Sequence, residues 1–164
     1  MGDLGVKMRE LFELARPYLE NNSFGVAHTQ RVFDFATRYF SIPIKSKDKV
    51  HAIIILHDIG GISIKDQYAK GPIIAEKLLR QIDYDDKTIR EICEIIGSHH
   101  EKKENASDEF KILYDADQLA KFSKEEFASY DVKNLNWNSV IDSMYFEHSK
   151  KLARKTMVES KKIT

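Results

Sequence analysis

Four histidines and two aspartates are placed along this chain so that helices could bring them to one point. His28 follows Gly25-Val26-Ala27, and His57-Asp58 closes the apolar run Ile53-Ile54-Ile55-Leu56 just before Gly60-Gly61. His99-His100 closes a second isoleucine-rich stretch, and Asp117 stands in Tyr114-Asp115-Ala116-Asp117-Gln118-Leu119. Imidazole nitrogen and carboxylate oxygen are donors that borderline divalent cations accept. Beside an apolar segment they are costly to bury unless something satisfies both. A divalent cation would do so, and it would lower the pKa of bound water and polarise a phosphoryl oxygen. The expected chemistry is therefore that of a divalent metal site. Arg31, one turn after His28, could hold phosphate oxygens bidentately with help from Lys65 and Lys70, or could instead pair with Asp34 or Asp58. A histidine near the site could protonate the leaving oxygen at neutral pH.

Helices must position these groups. Apolar spacing predicts helices over 4–19, with Pro17 bending or ending the first, and over 23–40, with Ser23 as N-cap. A third is expected over 47–58, stopped by Gly60-Gly61, and 61–71 reads as a loop exposing Lys65, Asp66 and Lys70. Pro72 suits the first turn of a helix over 73–82, and Asp85-Asp86 open another that runs to His99-His100. A charged connector, 101–107, leads to a helix carrying Phe110 through Phe122. Ser123 with Glu126 has the capping-box pattern for a short helix, and a long last helix is expected over 136–161. No strand alternation, internal repeat or low-complexity tract interrupts this pattern. The expectation is an all-α, single-domain bundle of about seven to eight helices spanning 1–164, with its motif core in 23–122.

Composition fits that expectation. Hydrophobic residues make up 42% of the 164 and charged residues 32%, the balance of a globular protein with its own core. Only 7 Gly and 3 Pro leave few breakers. A net charge of zero argues against nucleic acid or an anionic membrane as partner, so attraction for an anion must be local. The basic residues of 150–162 alternate with Glu147, Glu159 and apolar positions, as on a solvated helix face. Cys93 is the single cysteine, and no apolar stretch approaches a membrane span, so a cytoplasmic protein is expected.

Taken in order, His28 with Arg31, His57-Asp58-Ile59-Gly60 and Asp117 in an Asp-Ala-Asp-x-Leu context resemble the HD-domain family of metal-dependent phosphohydrolases. The resemblance implies His28, His57, Asp58 and Asp117 as ligands of one divalent metal (Mn, Fe, Ni, Co, Zn or Mg). It gives catalytic roles to His57, Asp58, His99 and His100. His99-His100-Glu101 is similar to the stretch that helps hold a second metal in binuclear branches. Those branches also place a histidine near what is Lys70-Gly71 here, so one metal is the favoured expectation. Branches acting on alarmones or deoxynucleotides carry an acid soon after the His-Asp pair, whereas this chain has none until Asp66. The implied substrate is a small, nucleotide-like phosphate monoester or diester. The alternative is a non-catalytic metal- and nucleotide-binding module. Homo-oligomerisation is left open.

Overall fold

The structure, a computed structural model, describes residues 4–22 and 24–162. Its architecture follows from one helix whose C-terminal part is buried on every side. Residues Val50 to Leu56 include an unbroken run of isoleucines, and every one of them is buried, as expected of a helix apolar all round. Full burial of a Val, Leu or Ile side chain is worth about 1.5–3 kcal/mol. The run is therefore stable only with other helices on all sides.

Among the described residues the helices are α1 (Val6–Leu19), α2 (Gly25–Tyr39), α3 (Lys47–Leu56), α4 (Ile64–Gln81), α5 (Asp86–Ile96), α6 (Asp108–Lys121), α7 (Phe127–Asp131), α8 (Trp137–Ser143) and α9 (Glu147–Lys161). A short 3-10 turn, Ile44–Ser46, leads into α3. The central helix α3 is packed by α1, α2, α5 and α6, while α4 lies on α5 and α9 on α6. The all-α expectation holds, and no helix is long and apolar enough to cross a membrane. Phe33, Phe40, Phe110 and Phe122 are all buried as their spacing predicts.

Several boundaries differ from expectation for identifiable reasons. Ser23, expected as an N-cap, lies outside the described residues. Val6 faces solvent because α1 begins there and turns Met8 and Leu11 inward. The stretch expected as a loop, 61–71, is mostly the first half of α4. Ser63 caps it, its Oγ accepting the Asp66 N–H at 3.1 Å, and Lys70 pairs with Asp66 at 3.0 Å one turn on. Pro72 thus sits inside the helix and forfeits one hydrogen bond. The gain is close packing, because Gly71 lies on Gly60: a Cβ at Gly60 would stand 2.6 Å from the Gly71 nitrogen.

The expected long last helix is broken between α8 and α9. Asp115 is fully buried. It accepts the backbone N–H groups of Tyr145 and Phe146 at 2.8 and 2.9 Å, which fixes the entry to α9. Trp137, in α8, is buried and stacks on Phe127 at 4.4 Å between ring centroids.

Candidate metal centre

The C-terminal end of α3 is where the polar residues meet. Helices α3 and α5 finish with the same device. His57 donates Nδ1–H to the carbonyl of Ile54 at 2.7 Å, and His99 does so to that of Ile96 at 2.8 Å. Each ring satisfies a helix-end carbonyl and leaves Nε2 pointing inward. His28 comes from the first turns of α2 and Asp117 from the buried middle of α6, the two helices flanking α3. Gly61, at φ +134°, takes the chain away from Asp58 through a backbone conformation open to glycine. Asn22 holds the Asp58 carbonyl at 2.6 Å.

The donor atoms converge. His28 Nε2 lies 3.0 Å from Asp117 Oδ1, 3.3 Å from His57 Nε2 and 3.5 Å from Asp58 Oδ2. His57 Nε2 is 3.4 Å from Asp58 Oδ2 and 3.8 Å from Asp117 Oδ1. Ligands bound at about 2.0–2.1 Å around one cation stand about 3 Å or slightly more from one another, so the spacing fits. Asp58 belongs to a second group as well, with His99 and His100, and its Oδ1 lies 3.4 Å from His99 Nε2. Those two buried atoms have no hydrogen-bond partner. His28, His57 and Asp117 are at most 8% exposed, whereas Asp58 is 18% exposed, so the cluster opens to solvent on the Asp58 side.

Charge makes the same case. Burial opposes ionisation of Asp58 and Asp117, yet the surrounding imidazoles outweigh it and hold both carboxyls well below their usual range. Burial likewise opposes a charge on His28, but hydrogen bonds to Asp117 and Glu126 lift its pKa to about 10. His57 is pushed down by burial and stays neutral. Without metal, His28 holds a proton between Asp117 and Glu126, whereas a divalent cation would neutralise Asp58 and Asp117 together. Because that proton must leave before Nε2 can ligate, binding at pH 7.5 should release about one proton. Apparent affinity should then strengthen as pH rises toward 10. Calorimetric titration of Mn in buffers of different ionisation enthalpy reads the release directly, and a value near zero would contradict it.

Glu126 was hidden in the sequence as a capping-box residue. In the structure it is fully buried and precedes α7 without capping it. Its Oε1 accepts from His28 Nδ1 at 2.9 Å and from Arg31 Nε at 2.7 Å. A carboxylate on the outer nitrogen of a ligating histidine fixes its tautomer, and losing such a partner typically weakens metal binding 10–100-fold. Glu126→Gln should weaken Mn affinity by about that factor while leaving the helical circular dichroism unchanged. Arg31 therefore pairs with Glu126 rather than with Asp34 or Asp58.

A cavity of about 290 Å³ opens on the cluster. His28, Asp58, His100 and Asp117 form its floor, with Phe24, Tyr130, Lys121 and Lys133 among its walls. Arg31, Lys65 and Lys70 do not line it; Lys65 is exposed, and Lys70 is engaged by Asp66. Burial and the neighbouring His99 push His100 down to about 4, and its ring meets Gln67 Oε1 at 2.6 Å. Burial also opposes a charge on His99, but the Asp58 contact raises its pKa overall. His51 is buried against Phe33, away from the cluster, and His148 is exposed beside Phe40.

A crystal structure of a predicted HD superfamily hydrolase from an uncultured Thermotogales bacterium has the same fold. Its TM-score is 0.65 over 94% of this chain and 87% of that one, at 22% sequence identity. No curated protein matches. The family model of the HD domain matches residues 25–121, more than half of the chain and the whole span from His28 to Asp117. The chain belongs to the HD-domain family.

Proposed function

We propose that this protein is a metal-dependent phosphohydrolase acting on a small phosphate ester of nucleotide size or less. The observation that carries the reading is the convergence of donor atoms on His28, whose Nε2 lies 3.0–3.5 Å from Asp117, His57 and Asp58, beside an open cavity. These four residues would hold one divalent cation. When bound, such a cation supplies Lewis acidity toward a phosphoryl oxygen and a water of lowered pKa. Glu126 keeps the His28 tautomer fixed, and the Ile54 carbonyl does the same for His57. His100, held neutral, places Nδ1 4.0 Å from Asp117 Oδ2 and can orient a water by accepting its hydrogen.

A second reading, two cations sharing Asp58, is favoured by Asp58 Oδ1 and His99 Nε2, buried atoms 3.4 Å apart with no other partner. Metal analysis separates one equivalent from two.

The test of function is a panel of nucleotides, sugar phosphates and cyclic dinucleotides, assayed with Mn, Co, Ni or Mg. Metal-dependent release of phosphate or of a cleaved ester is expected. Nucleotide binding without turnover under every metal would replace the enzyme with a ligand-sensing module.

A further inference from the structure

We infer that the cavity selects dianionic phosphomonoesters over monoanionic phosphodiesters, and that Lys121 and Lys133 make the selection. This rests on the phosphohydrolase reading and adds the charge class of the substrate.

Charge pairing in and around the cavity is the basis. Asp58 and Asp117 together match one divalent cation, and Arg31 matches Glu126. Lys121 and Lys133 are left over. Lys121 Nζ touches only a neutral acceptor, Gln118 Oε1 at 2.9 Å, and both ammonium groups lie 5.6 Å from the Tyr130 ring centroid. Neither forms an ion pair among the described residues. They come from different elements, the last turn of α6 and the turn after α7, so the fold rather than local spacing sets them against one ring. The Lys121 charge is felt at both Asp117 and His100, which places it beside the reacting centre.

A wall with two unmatched positive charges complements two negative charges on the ligand. A phosphomonoester carries them above its second pKa of about 6, whereas a diester carries one at any neutral pH. Size argues in the same direction. The cavity of about 290 Å³ sits at the lower edge of the usual range for small-molecule sites. A second ester substituent would have to share that space with Phe24 and Tyr130, which form the apolar side.

Methyl phosphate and dimethyl phosphate are the probes, because they differ in charge and hardly in bulk. Titrated calorimetrically into the Mn-loaded protein at pH 7.5, methyl phosphate should bind at least about tenfold tighter, as expected for charge-assisted hydrogen bonds. In Lys121→Met/Lys133→Met the two affinities should converge. Lys121→Arg/Lys133→Arg should keep most of the difference, which a merely structural role for the lysines would not require. Equal affinities in the unaltered protein, or a difference that survives the methionine pair, would overturn the inference. Initial rates on p-nitrophenyl phosphate and bis(p-nitrophenyl) phosphate give the corresponding kcat/KM ratio. Selective binding without turnover of either ester would defeat the phosphohydrolase reading while leaving the charge selection intact.

Discussion

Asp58→Asn should produce a folded protein that no longer retains a divalent cation and turns over phosphate ester about 10³-fold more slowly, a loss comparable to removing a principal electrostatic group from an active site. Asp58 is the residue on which the cluster depends most, because it belongs both to the group with His28 and His57 and to the group with His99 and His100. Asparagine has nearly the same shape, so the buried packing around Ile59 and Leu56 need not change. It removes a carboxylate whose charge the surrounding imidazoles hold favourably in the metal-free protein. The metal-free variant should therefore melt below the metal-free parent. Added Mn should stabilise the parent by about 2.7 kcal/mol at a hundred times its Kd and leave the variant unmoved. Thermal melts with and without Mn, beside an activity assay, check both halves. A variant that keeps its metal response would remove Asp58 from the ligand set.

Gly60→Ala should destabilise the protein by roughly 3 kcal/mol, at the upper end of overpacking costs, and lower the melting temperature by about 10 °C. The added Cβ would stand 2.6 Å from Gly71 N and 2.7 Å from both Asp66 O and Gln67 Cα. All of these are backbone atoms, so no side-chain rotation relieves the clash. Relief requires α4 to move off the turn that carries His57 and Asp58. Gln67 would move with it, together with its hydrogen bonds to His100 and to the Gly61 carbonyl. Metal affinity should therefore fall as well as stability. Gly5→Ala, with nothing within 4 Å of the new methyl, is the control and should change stability by no more than about 0.5 kcal/mol.

The candidate donors were legible in sequence as polar residues beside apolar helical stretches, and the resemblance to the HD family picked out His28, His57, Asp58 and Asp117 among them. His57-Asp58 after an isoleucine run and Asp117 between Ala116 and Leu119 are incompatible with an ordinary core unless something binds them. What was not legible depends on contacts between distant segments. Glu126 fits a local capping pattern so well that its real partners, His28 and Arg31, have no trace in its own neighbourhood. Lys121 and Lys133 look like any solvated lysines until α6 and α7 fold against Tyr130. Gly71-Pro72 reads as a helix start because its compensation, the close approach to Gly60, lies far back in the chain. The break before α9 is likewise set by Asp115, thirty positions away from Tyr145. Local pattern and family resemblance thus pointed to the candidate donors, whereas the carboxylate behind His28 and the cavity wall needed the tertiary structure.

The most direct test of the centre is a titration of Mn into metal-free protein, with turnover of a phosphomonoester followed at each addition. Turnover should be absent at the start and rise to a break at about one equivalent, as a single set of ligands requires. Turnover that is complete without metal, or that never appears at any metal concentration, would contradict it.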